Sequence, residues 1–295
     1  MPDYNLPTLT GRAEPTIRVT ILGAGGNMGR RITRSLLEYP EYELRFVEPS
    51  PHGRELMAEL GVSAVETAEA VRGAELVVFA INDSIVKDVA KDVVPMLDAG
   101  TSMLFLDPAA LASDRIPRRD DVNCYVVHPT HPPLYSLLEE ETAEARRDFW
   151  GGGLARQALV FATAWGGETE AERAQRLAEA MFAPISTCHR ITVSQMAMLE
   201  PALSETLTNG CISLIHDGME RVIEAGVPAE ATYDFLMGHI QIGLALIFDQ
   251  LDWKLSEGAQ LALRESKRML FRDDWDRIFE PEEVLASVRR ITDRN

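Results

Sequence analysis

The chain has 295 residues, 46% of them hydrophobic, enough for one large domain or two ordinary ones whose core needs no disulfide or metal to hold it. A formal net charge of −17 argues against nucleic acid and against an anionic membrane surface as partners, because both would repel it. No apolar run approaches the roughly 20 residues that span a bilayer, and Cys124, Cys188 and Cys211 lack metal or redox spacing, so they read as buried thiols of a cytoplasmic protein.

Residues 1–15 hold Asp3, Pro7 and Glu14 in place of a basic, then apolar secretion signal, and are expected to form a flexible leader. The first strand is predicted over 17–22. It runs into Gly23-Ala24-Gly25-Gly26-Asn27-Met28-Gly29 and then into a helix over 28–38. Strand, glycine turn and helix in that order form a dinucleotide site: glycines let the backbone approach a pyrophosphate, and N–H groups at the helix start hold its charge. Gly23 and Gly25 fit the usual fingerprint, while Met28 takes its third glycine position and Gly23, Gly26 and Gly29 make a three-residue repeat. Gly23, Gly25, Gly26, Asn27, Met28 and Gly29 are therefore the expected cofactor contacts. The second strand, 43–47, ends at Glu48, where an acid can accept the ribose hydroxyls of NAD and would repel the 2′-phosphate of NADP, while Arg45 and Arg54 keep NADP open as the alternative.

Helices follow over 52–60, 66–71 and 84–97, with strands at 75–81, 102–106 and 123–127; beyond them lie strands at 157–164 and 185–191 and a helix over 168–182. This alternation predicts an α/β fold with an N-terminal Rossmann-type doubly wound parallel sheet. Ligands of such sheets lie outside the carboxyl ends of the strands, which directs attention to three further strand ends. One delivers Ala80, Ile81 and Asn82, and the next delivers Pro108; these are expected along the cofactor. The third delivers His128-Pro129-Thr130-His131-Pro132-Pro133, two imidazoles on a loop stiffened by prolines. One histidine there can take up a hydroxyl proton during oxidation, or the pair can ligate a divalent cation. The run 134–149 reads as helical.

From Ser194, a good cap, the pattern is helical only: one run continues to about Ala225 before Gly226 and Pro228, and a second spans about Ala229–Glu257. The chain is thus expected to divide into the leader, a cofactor domain over 16–192 and an all-helical substrate and dimerisation domain over 193–295. The apolar stretch Ile240–Phe248 must be buried in a bundle or against another subunit, which predicts a homodimer through the helical domain. On a 3.6-residue period Glu200 lines up with Met196, Leu203, Leu207, Cys211 and Leu214, so it is expected to be protonated, paired, or bound to a metal or substrate; a first-turn acid favoured by the helix dipole is the alternative. Glu205, Asn209 and His216 form a polar stripe on the opposite side.

A glycine-rich NAD domain followed by helices that open on one long helix resembles the 6-phosphogluconate dehydrogenase and β-hydroxyacid dehydrogenase superfamily. That resemblance implies a lysine, then an asparagine, on the long helix. The lysines here are Lys87, Lys91, Lys254 and Lys267, none of them on it, and Glu200 sits about where the lysine is expected. With its glycine turn, its His-Pro-Thr-His-Pro-Pro loop and its Glu200-Pro201, the chain more closely resembles the bacterial D-apionate oxidoisomerases. This implies NAD-dependent oxidation of a branched sugar acid coupled to a carbon-skeleton shift, akin to ketol-acid reductoisomerase chemistry run oxidatively and helped by a divalent cation. On that resemblance His128 is the catalytic acid/base, Glu200 a catalytic residue and metal ligand, and His131 a metal ligand. A small anionic molecule is the expected substrate. A 3-hydroxyacid dehydrogenase without rearrangement and a non-catalytic NAD sensor are the alternatives.

Overall fold

In the structure, a computed structural model, residues 16–135 and 142–293 are described; the expected leader lies outside them. A seven-stranded sheet is built from β1 (Ile17–Leu22), β2 (Tyr42–Val47), β3 (Leu76–Phe79), β4 (Ser102–Phe105), β5 (Asn123–Pro129), β6 (Gln157–Trp165) and β7 (Ile185–Arg190), in the order β2-β1-β3-β4-β5-β6-β7. All neighbours are parallel except β5 and β6, which run antiparallel with His128 opposite Val160.

The central strands are buried on both faces, which is why they read as unbroken apolar runs. In β3, Leu76 and Val78 join one core while Val77 and Phe79 join the other; in β5, Tyr125 and Val127 part from Cys124 and Val126 in the same way. The first core takes Ile32 and Leu36 of α1 (Asn27–Leu36) and Ala174, Leu177 and Met181 of α6 (Glu168–Phe182). Between strands lie α2 (Pro51–Ala58), α3 (Thr67–Val71), α4 (Asp83–Val93) and α5 (Ala109–Ala112), of which α4 supplies Val86, Ala90 and Val93 to the second core.

After β7 come α7 (Val193–Ala197), a π-helix (Met198–Asn209), α8 (Gly210–Glu224), α9 (Ala229–Ile247), α10 (Glu257–Leu270) and α11 (Pro281–Thr292). The chain clusters into two compact units, one of Met1–Ala197 with Val288–Asn295 and the other of Met198–Ser287. In the first, Val288 and Thr292 are fully buried and Asp293 bonds Lys87 at 3.3 Å and Arg115 at 2.6 Å, which ties the C-terminal turn down.

Several expectations change. The sheet is mostly but not wholly parallel: β6 pairs antiparallel with β5, and β7 pairs parallel with β6. Of the helix expected over 134–149, the described part holds only a 3-10 turn, Ala145–Arg147, and 136–141 lie outside the described residues. The cap of α7 is Thr192, not Ser194: its Oγ1 accepts the Gln195 N–H at 3.1 Å while the Gln195 side chain accepts the Thr192 N–H at 2.9 Å, a reciprocal capping box. The run expected over 229–257 breaks after Ile247, where Asp249 turns left-handed (φ 53°). Among the described residues no helix is long and apolar enough to cross a membrane.

Candidate cofactor and catalytic site

The glycine turn is held by contacts that admit no side chain. Gly23 has φ +78°, and a Cβ on it would collide with the Ala80 carbonyl. At Gly25 a Cβ would lie 2.5 Å from the Gly53 Cα of α2, and at Gly29 it would strike the Gly23 carbonyl. Gly26 is the N-cap of α1 with no side-chain cap, so the N–H groups that open the helix at Asn27 and Met28 are left for an anion. The Met28 side chain packs against the first core and contributes only its backbone here.

Glu48 follows β2 and is buried, 7% exposed. Its Oε2 accepts the Gly25 N–H at 2.9 Å; its Oε1 accepts the Ser50 N–H at 2.9 Å and the Ser50 hydroxyl at 2.8 Å. A carboxylate has about four acceptor positions, so these three bonds hold Glu48 against the turn and leave room for a ribose hydroxyl. A Cβ on Gly53 would collide with the Glu48 carboxyl group. Gly53 is thus a site residue that sequence reasoning missed; its signal was a glycine one turn inside a helix, where propensity disfavours it.

Ala80, Ile81 and Asn82 stand at the same edge of the sheet. The Asn82 side chain caps α4, accepting the Ser84 N–H at 3.4 Å. Pro108 is buried at the start of α5, where it presents little surface to a ligand.

Three strand spacings from β1, about 14 Å across the sheet, β5 carries His128 to the same edge. His128 Nδ1 lies 2.9 Å from the Leu106 carbonyl, and His131 Nδ1 lies 2.9 Å from the Trp150 carbonyl. A carbonyl can only accept, so each Nδ1 carries the proton and each lone pair sits on Nε2, the tautomer required of a proton acceptor or metal ligand. His131 adopts φ +59°, an unfavourable left-handed backbone that its loop must enforce.

That loop is anchored by residues not anticipated from sequence. Arg31, 3% exposed on α1, donates to the carbonyls of Gly151 at 2.8 Å, Met181 at 3.1 Å and Ala183 at 2.7 Å. Asp148 accepts the N–H groups of Gly152, Gly153, Leu154 and Ala155. Burial would raise the Asp148 pKa, but these four donors hold it below the ordinary aspartate value.

Glu200 belongs to the second unit, where the π-helix changes its neighbours. In i→i+5 register Glu205 follows Glu200 one turn on, and the Thr206 and Thr208 hydroxyls bond carbonyls five residues back, at Pro201 and Leu203. Glu205 therefore does not stand opposite Glu200. Nor is Glu200 sunk in an apolar row: it is half-buried, while Leu203 and Leu214 are exposed. Among the described residues no three His, Cys, Asp or Glu side chains gather to hold a metal ion. A cation at His131 would have to draw most of its ligands from substrate oxygens and water.

Phosphogluconate dehydrogenase (decarboxylating), C-terminal, matches residues 138–292, and NADP oxidoreductase, coenzyme F420-dependent, matches residues 18–104. A D-apionate oxidoisomerase of Cupriavidus necator is 38% identical over 276 residues, covering 93% of this chain and 99% of that protein. This chain belongs to the D-apionate oxidoisomerase family. A D-apionate oxidoisomerase of Rhizobium rhizogenes is also 38% identical, over 93% of this chain and 99% of its own length. A crystal structure of a semialdehyde dehydrogenase NAD-binding protein from Cupriavidus necator, in complex with calcium and NAD, superposes with a TM-score of 0.90 at 37% identity, over 94% of this chain and 99% of that one. The family is one of Rossmann-type oxidoreductases, and the fit of the turn to a dinucleotide agrees with it.

Proposed function

We propose that this protein is an NAD-dependent oxidoisomerase of D-apionate, oxidising a CH–OH group of the branched sugar acid and rearranging its carbon skeleton. The observation that supports it most is His128: a histidine whose Leu106 contact puts its lone pair on Nε2, at the sheet edge that carries the glycine turn. Bound at that turn, NAD supplies the electron acceptor. Asn27 and Met28 would hold its pyrophosphate through N–H groups, the Gly26 N–H being taken by the Gly23 carbonyl; Glu48 would hold a ribose hydroxyl, and His128 Nε2 would take the proton of the reacting hydroxyl.

NAD rather than NADP follows from Glu48, whose charge would face the 2′-phosphate. Glu48→Gln keeps an acceptor for the Gly25 N–H and removes the charge, so the ratio of kcat/KM with NADP to that with NAD is expected to rise about tenfold or more. An unchanged ratio would show that Glu48 does not set the choice.

Carbon-13 NMR of the product tests the reaction: a rearranged skeleton supports it, and an oxidised but unrearranged acid would replace it with the second reading, a plain hydroxyacid dehydrogenase. The match of residues 138–292 to phosphogluconate dehydrogenase favours that second reading. Divalent-cation assistance, with His131 and Glu200 as candidate ligands, is supported by the calcium in the Cupriavidus complex. Full activity after chelation would remove it.

The reading extends to a homodimer through the helical unit. Neither α8 nor α10 has a buried residue, α9 buries only Thr232, and Phe235, Trp253 and Met269 are 68%, 70% and 81% exposed. Ile215, Met219, Val222, Phe235 and Leu236 line an apolar trough of about 610 Å³ on α8 and α9. So much apolar surface on one chain calls for a second copy. Sedimentation at micromolar concentration should give twice the chain mass; a single-chain mass would refute the dimer. Three cysteines without a disulfide agree with a cytoplasmic location.

A further inference from the structure

A cavity of about 420 Å³ lies beside α1, lined by Asn27, Arg30, Arg31, Arg34 and Trp150. Three guanidinium groups around one cavity are out of character for a chain of net charge −17. Helical spacing explains part of this, since Asn27, Arg30 and Arg34 at i, i+3 and i+7 form one stripe. The charges there are poorly matched. Arg30 Nη2 donates to Asn27 Oδ1 at 3.0 Å, but its Nε is buried with no hydrogen-bond partner among the described residues.

Arg34 is exposed and engages no acid among the described residues, though its place in the last turn of α1 suits the helix dipole. Burial lowers the Arg31 pKa; Asp148 opposes this and Arg34 lowers it further, a mark of like charges held close. Asp148 itself is taken up by the N–H groups of residues 152–155 and is not a partner that fills the cavity.

We propose that this cavity binds the phosphate group of a small phosphorylated molecule, at a place separate from the pyrophosphate of the cofactor. The pyrophosphate belongs at the N–H groups of Asn27 and Met28, whereas Arg34 lies seven residues further along, about 10 Å down the helix axis. Arginine forks suit a phosphate, which offers three oxygens and up to two negative charges to several N–H donors at once. The cavity is larger than one phosphate, and Trp150, 44% exposed, provides a flat wall for the group that carries it.

Inorganic phosphate is the probe, titrated calorimetrically into the full-length protein saturated with NAD. Binding is expected in the wild type, with affinity about tenfold or more lower in Arg34→Gln and in Arg30→Gln. Arg34→Gln should keep the melting temperature and the NAD affinity of the wild type, because Arg34 bonds no described residue. Arg34→Lys should recover part of the phosphate affinity, as a point charge without the fork. The proposal fails if NAD-saturated protein binds no phosphate, if NAD displaces it, or if Arg34→Gln binds it as the wild type does.

Discussion

His128→Asn is expected to lower kcat by about 10²- to 10⁴-fold while the dissociation constant of NAD stays nearly unchanged. Asparagine places an amide N–H where histidine has Nδ1, so the bond to the Leu106 carbonyl can persist and the loop need not move. What disappears is Nε2, the atom assigned to accept the hydroxyl proton. Stopped-flow turnover together with NAD titration separates the two effects. Near-normal turnover would remove His128 from the mechanism. A parallel loss of NAD affinity would instead mean that the substitution had disturbed the sheet edge.

Gly25→Ala should raise the NAD dissociation constant about 100-fold or more and destabilise the first unit by about 1–3 kcal/mol. The added methyl group would meet the Gly53 Cα at 2.5 Å, with the Gly53 carbonyl close behind, and backbone cannot yield as a side-chain tip can. Separating the turn from α2 also pulls the Gly25 N–H away from Glu48, so turn and ribose acid lose register together. Gly26→Ala gives the contrast. Gly26 has φ −67°, and its Cβ would come no nearer than 3.4 Å to the Gly23 carbonyl, so the fold should tolerate it. A loss of NAD affinity in Gly26→Ala at unchanged melting temperature would therefore report the approach of the cofactor itself. If Gly25→Ala binds NAD normally, the close contact with α2 is not what shapes the site.

Much of the first unit was legible in the chain because its central strands, buried on both faces, are mostly apolar runs. β1 and α6 have the bounds that periodicity predicts, and Glu48 stands where the second strand stops. Strand direction was not legible, since an apolar run reads the same both ways; only the tertiary pairing shows β6 antiparallel to β5. Arg31 was overlooked for a related reason. A charged residue on an amphipathic helix reads as solvent-facing, and only the tertiary fold brings three backbone carbonyls to it.

The long helix shows the same limit in its periodicity. Counting at 3.6 residues per turn put Glu200 in an apolar row and Glu205 opposite, but the stretch from Met198 to Asn209, with Pro201 inside it, is wound as a π-helix and brings Glu205 one turn above Glu200. A proline marks where a hydrogen bond is missing; it does not say which register replaces it.

By itself the sequence placed the glycine turn, Glu48 and the histidine loop at strand ends, because the apolar runs of these strands stop where glycine, glutamate or histidine follows. Tertiary structure decided how each group is held. The Leu106 and Trp150 carbonyls set the histidine tautomers, Gly25 and Ser50 orient Glu48, and Arg31 with Asp148 holds the loop that carries His131. Some of these partners are local, such as Ser50 beside Glu48 and Gly152 beside Asp148, but others lie 22 residues apart, as for His128 and Leu106, or 152, as for Arg31 and Ala183, and no local pattern encodes a hydrogen bond over that distance.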